Sequence, residues 1–439
     1  MNNFFIHCKS QLLFPPTFPR GQNAMMIRIL TVFYCALFAS FFILGTNAQR
    51  NLMYAGMPFL GYFLYIHRQF FQDRRLISLS LIGLCGYFLI NYISILWSHP
   101  GDGEKLLQRL KMLVFFPLYL APFLVLCHLS KDFWIRCVTS YVMAAVITGA
   151  ALITANLENL YHLERLSGWG RAGNPVQCGL LYGIAFLIIL FGHSKLSGFR
   201  NWPGWVWILA ALIPLTDMIL TKSRGPLLAC LVVLGAVLVL RCRNLGDFFT
   251  RRTLLIIGLG ALICGGFLAL NYDYIKDRGT TGRGEIWARA IDLTKDSPIF
   301  GHGIATKIMY PYHLNGQPAE AGHPHSVYLS ALVHTGLVGL FFQLIALFSG
   351  LLIGVDYMRR HGDPSAFIFL CFGAVIGLVD YGGYYTNLST TWIIFWFPMV
   401  FLCAVAARGD RAVGGGATIN SRQKTIESSA TAETAPSNL

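Results

Sequence analysis

The sequence predicts an all-α polytopic membrane protein of about twelve transmembrane helices, with one large loop between spans nine and ten. Three observations carry this prediction. Hydrophobic residues make up 55% of the chain and charged residues 12%, too few polar groups to coat a water-soluble globule. Apolar runs of roughly 17 to 25 residues, long enough to cross a bilayer, recur along the chain. Basic residues gather in alternate connections, as the positive-inside rule requires.

Taken in order, spans are expected near residues 27–45, 52–67, 76–97, 110–128, 133–154, 175–193, 203–220, 225–240, 253–270, 325–354, 365–385 and 388–407. An even number puts both termini on one side. With that side inside, the clusters Arg68, Arg74, Arg75 and Arg241, Arg243, Arg251, Arg252 face the cytoplasm, and the inner segments hold the larger share of the 34 Lys and Arg residues. The longest connection then faces outward. This divides the chain into a segment 1–26, helices one to nine over 27–270, a periplasmic loop with short helices over 271–324, helices ten to twelve over 325–407, and a tail 408–439.

Residues 1–26 read as a disordered leader or a mis-assigned start. They lack the basic, apolar and small-residue order of a signal peptide, "PPTFP" breaks any helix, and Met25 and Met26 stand just before the first span. The tail, rich in Gly, Ser, Thr and Ala, is expected to be disordered and cytoplasmic. The 11 cysteines lie mostly within spans, none falls in 271–324 and no CxxC pair exists, which argues against a disulfide framework or a zinc ribbon. Membrane lipids are expected partners and nucleic acid is not.

The outer face collects the unusual residues. Arg171 ("GRAGNP"), Lys222 and Arg224 ("TKSRGP"), and Arg278, Arg283 and Arg289 ("DRGTTGRGEIWARAIDL") stand where positive charge should be scarce. Such a collection suits an anion, because each guanidinium can donate two parallel hydrogen bonds to a phosphate and keeps its charge at any working pH. The simpler reading is that they anchor to lipid headgroups or pair with Glu164, Asp277 and Glu285. Within "TGRGEIWARAIDLTKDSP", Arg283, Trp287 and Ile291 recur at helical spacing, Glu285 can pair with Arg289, and Trp287 can anchor the helix at the interface. Gly301 and Gly303 around His302 mark a turn after it.

The stretch "HPHSVYLSALVHTGLVG" opens the tenth span with two histidines, His323 and His325. Histidine is the usual base for a hydroxyl near neutrality. In the first turn of the span, the positive end of the helix dipole would keep the His325 imidazole neutral. Alternatives are a plain polar helix end or a metal held by both histidines, but an HxH pair without a carboxylate is a poor metal motif, and no metal or cofactor is expected.

These residues resemble the signature of the O-antigen ligase and polymerase superfamily: His, then Asn, Ser or Gln, nine residues, then Gly-x-x-Gly, here His325, Ser326, Gly336 and Gly339. The resemblance extends to "TKSRGP" with Arg224, "GRGEIW" with Arg283 and Trp287, "SPIFGHG" with Pro298, Gly301 and Gly303, and the many-span layout with one late loop. It implies an inverting, metal-independent glycosyltransferase of the GT-C type. Such an enzyme moves a glycan from undecaprenyl diphosphate to the lipid A core oligosaccharide at the periplasmic face of the bacterial inner membrane. The resemblance makes His325 the general base and gives Arg224 and Arg283 the diphosphate, with Arg171, Lys222, Arg289, Trp287 and His323 as further substrate-binding candidates. The acidic partner of His325 is left open between Glu320 and Asp380. An O-antigen polymerase or a protein O-oligosaccharyltransferase shares the motifs. A reading of another class is a lipid or polysaccharide transporter with Asp217 and Asp380 as ion sites.

Overall fold

A computed structural model describes residues 22–99, 103–130, 132–157, 165–196, 202–241, 282–314, 317–383 and 389–408, together with 258 and 265. A bundle of antiparallel helices runs through it: α1 (Gln22–Ile43), α2 (Thr46–Ile66), α3 (Leu79–Ile93), α4 (Gly103–Leu129), α5 (Phe133–Ala155), α6 (Pro175–Gly192), α7 (Gly204–Leu220) and α8 (Arg224–Arg241). Next come α9 (Arg283–Asp296), the strands β1 (Tyr310–Leu314) and β2 (Gln317–Ala321), then α10 (Val327–His361), α11 (Ser365–Val379) and α12 (Phe397–Ala407), the last entered through a π-helical turn, Trp392–Trp396. Among the described residues, seven helices are long and apolar enough to cross a membrane; Gly204–Leu220, Ser365–Val379 and Trp392–Ala407 are shorter apolar helices. Every expected span except the ninth coincides with a helix. The ninth falls on residues that lie almost wholly outside the described ones, as do Asp277, Arg278, Glu164, residues 1–21 and the tail from 409.

Local chemistry explains where several helices begin. The Ser78 hydroxyl accepts from Leu81 N–H at the start of α3, and the Asn174 side chain accepts from Val176 N–H ahead of Pro175 at the start of α6. Both satisfy a donor that the first turn leaves without an intrahelical partner. The helix α1 starts at Gln22, ahead of the expected boundary at residue 27, so the end of the expected leader is helical. Close packing depends on small residues: a β-carbon on Gly83 of α3 would come within 2.5 Å of the Ala346 nitrogen of α10, and one on Gly86 would strike the Phe342 ring. Without them α3 and α10 could not lie backbone to backbone. Aromatic rings fill the centre, where Trp134 stacks on Phe401 at 4.6 Å and donates its indole N–H to the Ser365 hydroxyl at 2.7 Å.

The helix α10 is broken. Gly336 has φ 65° and ψ −162°, a region essentially reserved for glycine. Residues 297–303 insert at the break and take up its backbone groups. Leu337 N–H donates to Pro298 O at 2.8 Å and Val338 N–H to Ile299 O at 3.2 Å, while His302 and Gly303 N–H donate to Val333 O at 2.9 Å and His334 O at 2.8 Å. A β-carbon on Gly336 would strike the Ile299 carbonyl, and one on Gly301 (φ +65°) would lie 2.5 Å from the His334 carbonyl carbon. The motifs "SPIFGHG" and "HTGLVG" are therefore two halves of one interlock.

The loop departs from the all-α expectation. It holds one described helix, α9, and a hairpin in register Tyr310 to Ala321 and Tyr312 to Ala319. The dipeptide Asn315-Gly316 between the strands is a strong hairpin signal. Ile286 and Ala290 of α9, Tyr310, Ala321 and Val333 of α10 form a small core of their own, which fixes the loop on the first half of α10.

Gly336→Ala is expected to lower stability by about 1–3 kcal/mol or more, since it adds a steric clash to a backbone conformation that costs that much for any other residue. Gly235→Ala in α8, where nothing lies within 4 Å of a built β-carbon, should be neutral or slightly stabilising. Thermal melts of the two variants in detergent check this, and equal melting temperatures would contradict it.

Candidate active site

The site is built around the turn that precedes α10. Ser326 is the N-cap of α10, its hydroxyl accepting from Leu329 N–H, so His325 lies just ahead of the cap and not in the first turn as expected. Its backbone is left-handed, with φ +52°. Two neighbours tie this turn down. The His325 N–H donates to His323 Nδ1 at 3.2 Å, and the Trp287 indole N–H donates to Pro324 O at 3.0 Å. Trp287 therefore holds the His-Pro-His turn, where an interfacial anchor was expected.

The carboxylate that sequence reasoning left open is Asp380. It lies directly after α11, where its N–H donates to Ile376 O at 2.9 Å and its Oδ1 accepts from Tyr381 N–H at 2.9 Å. Its Oδ1 is 3.4 Å from His325 Nδ1 and its Oδ2 is 3.8 Å from an Arg283 Nη. A carboxylate only accepts, so Nδ1 carries a ring proton, and in the neutral imidazole the lone pair is then on Nε2. Glu320 is exposed on β2, opposite Pro311. The side chains of His325, Arg283 and Asp380 are 32%, 34% and 17% exposed, a partly open cluster that a ligand can reach.

Burial alone would raise the Asp380 pKa, but the hydrogen bonds from His325 and Tyr381 and the charge of Arg283 outweigh it and hold the carboxyl below the usual range. For His323, burial comes first and the neighbouring His325 second in pushing the imidazole down to about 4, against a weaker upward pull from Asp380.

Arg224 opens α8, and the place of a β-carbon on the next residue, Gly225, is 2.9 Å from Ile376 and 3.6 Å from Val379. Arg224 thus stands at the end of α11 that leads into Asp380. Lys222, at φ +48°, belongs to the same turn. Arg165, not singled out by sequence reasoning, braces that turn through Nε to Thr221 O at 3.1 Å and a terminal nitrogen to the Ser223 hydroxyl at 2.8 Å. Its position in a connection expected to face outward, where a cation is unexpected, was the signal available. Arg171 bonds Gln49 at 2.8 Å and Thr46 at 3.1 Å, fastening its loop to the start of α2.

On α9 the packed stripe is Ile286 and Ala290, while Ile291 is 50% exposed, so the expected face of Arg283, Trp287 and Ile291 does not pack as a unit. Glu285 accepts from both the backbone N–H and Nδ1 of His313, at 3.0 Å each, instead of pairing with Arg289. The hairpin brings His313 closer than the helix brings Arg289, which is exposed. Among the described residues no three His, Cys, Asp or Glu side chains converge to hold a metal ion.

Residues 209–344 match the family described as O-Antigen ligase (Wzy_C), a stretch that contains Arg224, Arg283 and His325. Over that stretch the chain is similar to the O-antigen ligase family. It is 26% identical over 395 residues to an O-antigen ligase of Pseudomonas aeruginosa, covering 86% of this chain and 90% of that one. It is also 25% identical over 268 residues to the exopolysaccharide production protein ExoQ of Rhizobium meliloti, covering 53% and 58%, respectively. An uncharacterized protein of Haemophilus influenzae is 24% identical over 353 residues, 72% of this chain and 81% of that one. With its apolar helices, the chain is grouped by these similarities with multi-pass bacterial membrane proteins.

The site also sets a dependence of stability on pH. His323 is neutral in the native state to about pH 4, whereas in the unfolded chain it takes up a proton below its ordinary 6.5, so stability falls as pH drops through that window. Asp380 adds a further loss only below the ordinary carboxylate value of 3.8. Melts in detergent between about pH 7 and pH 4 should show a falling melting temperature, and His323→Asn, which cannot titrate, should flatten the fall. Identical slopes for the two proteins would contradict the buried neutral imidazole.

Proposed function

We propose that this protein is an O-antigen ligase. It transfers a glycan from undecaprenyl diphosphate to the lipid A core oligosaccharide at the periplasmic face of the inner membrane, by an inverting, metal-independent displacement of the GT-C type. The observation that carries the proposal is the contact of His325 and Arg283 with one carboxylate, Asp380, beside the helix that Arg224 opens.

His325 Nε2 takes the proton of the acceptor hydroxyl, and the oxygen so activated attacks the anomeric carbon of the donor. The bond from that carbon to the diphosphate breaks and its electron pair leaves with the phosphate oxygen. Arg224 and Arg283 meet the developing negative charge, so the leaving oxygen needs no acid. Asp380 holds His325 in the productive tautomer and steadies the imidazolium that forms. Lys222 adds charge beside Arg224, and Arg289 on the exposed face of α9 is a contact for the glycan. Arg171 acts through the junction with α2.

A second reading, in which the acceptor is another glycan, is favoured by the similarity to an exopolysaccharide production protein. Loss of the gene separates the two on a lipopolysaccharide gel. A ligase mutant leaves bare core with glycan accumulated on its lipid carrier, and a polymerase mutant leaves core bearing a single repeat.

His325→Ala is expected to lower turnover by roughly 100-fold or more while the protein stays folded in the membrane, the usual contribution of a positioned base. Retention of more than about a tenth of wild-type turnover would remove His325 from that role. Transfer by the purified protein should persist in EDTA, and loss of activity restored by magnesium would overturn the metal-independent step.

Lysine at position 224 or 283 should fail to restore transfer, because an ammonium keeps the charge and loses the planar two-point contact with phosphate. Transfer rate and donor affinity for the Arg→Lys and Arg→Ala variants decide it. Near-normal lysine variants at both positions would reduce the pair to headgroup anchors.

A further inference from the structure

We infer that His323 is a positioning residue, whose imidazole accepts the backbone N–H of His325 and so holds that residue's left-handed turn, and that it touches neither the acceptor hydroxyl nor the donor. The inference rests on the glycosyl-transfer reading above and assigns a different task to a histidine that sequence reasoning had grouped with the substrate-binding residues.

The turn needs holding. A non-glycine residue at φ +52° sits in a conformation that costs about 1–3 kcal/mol unless its surroundings impose it. Three contacts impose it: the His325 N–H to His323 Nδ1 bond at 3.2 Å, the Trp287 bond to Pro324 O at 3.0 Å, and the Ser326 cap of α10. Of these, only the first acts on His325 itself.

The His323 ring is fixed on both sides. One side meets the His325 ring at a centroid distance of 4.1 Å. The other faces Gly382, where an added β-carbon would lie 2.8 Å from His323 Cβ and 2.9 Å from Cγ. Gly382 is in turn held through its carbonyl, which accepts from the Ser330 hydroxyl of α10. The segment after Asp380 and the start of α10 thus grip the same imidazole.

The protonation state agrees with the geometry. An Nδ1 that accepts a hydrogen bond must be unprotonated, so the ring proton is on Nε2, which can then only donate. Burial, with the facing His325, keeps the ring neutral down to about pH 4 against the pull of Asp380. A histidine whose single lone pair is spent on a backbone N–H cannot also take a hydroxyl proton or bind a metal. The two histidines of "HPH" therefore have opposite jobs: His325 presents a lone pair and His323 gives one up to place it.

Two substitutions separate this role from the others. In His323→Asn the side-chain oxygen is, like Nδ1, bonded to Cγ and can accept the same N–H, while His323→Phe keeps the bulk between His325 and Gly382 and removes the acceptor. In transfer assays with the full chain in lipid, varying donor and acceptor separately, Phe should lower kcat on the order of 10- to 100-fold, the usual effect of misplacing a catalytic group. KM for both substrates should stay near wild type, and Asn should restore most of kcat. Exchange of the His325 amide, followed by NMR on protein labelled with 15N-histidine, should be faster in the Phe variant and near wild type in the Asn variant. Wild-type kcat and amide exchange in the Phe variant, an Asn variant as impaired as Phe, or a raised KM at unchanged kcat would each overturn the inference. If wild type shows no transfer, the glycosyl-transfer reading falls, and if His325→Ala keeps it, His325 loses the role of base; in either case amide exchange alone still decides what His323 does.

Discussion

A break in a helix inside a membrane protein exposes backbone groups that hydrocarbon cannot satisfy, and each one left bare costs several kcal/mol. In this protein the break at Gly336 is closed by residues 297–303, whose backbone exchanges four hydrogen bonds with α10 across the gap. That closure places α9 and the hairpin. The loop enters it directly from the end of α9 and leaves it toward the hairpin, so α9 and the hairpin rest on the first half of α10. That contact in turn brings Trp287 within reach of Pro324.

The candidate site is assembled by the ends of helices. Arg283 begins α9, Arg224 begins α8, Asp380 follows α11 and His325 precedes α10, so the four polar groups are all supplied by helix ends. Asp380 is the shared member, bonded to the imidazole with one oxygen and paired with the guanidinium through the other. Its burial would favour the neutral acid, and only the two basic partners and the Tyr381 N–H keep it charged. Removing either partner would weaken the reason for the carboxylate to be ionised, which makes the three residues a unit in charge as well as in space.

Much of this was legible in the sequence. Hydropathy located the apolar helices because length and composition are enough to recognise a candidate crossing segment, and the surplus of cations in connections expected to face outward is what singled out Arg224 and Arg283 as candidates. Asp380 could not be chosen over Glu320, since it stands 55 residues from His325 and only the packing of α11 beside α10 brings the two together. The stripe on α9 was misjudged by one position, because the helix packs Ile286 and Ala290 on the hairpin and on Val333 of α10, contacts that its own spacing does not reveal. The left-handed backbone at His325 left no trace, as nothing in "HPHS" demands it without the contacts that impose it.

The interlock between Gly301 and Gly336 has a consequence for how this sequence can vary. Each glycine occupies the space beside the other's segment of backbone, so a side chain at either position presses on the other segment and a second change there cannot make room for it. The pair behaves as a single inherited character, to be kept or lost together. The hairpin is different: Pro311 and Glu320, paired across its two strands, are both exposed, and substitutions at them should leave the closure of α10 intact. Divergence among chains built this way should collect at that face of the hairpin, where a side chain can change without disturbing the turn that carries His325.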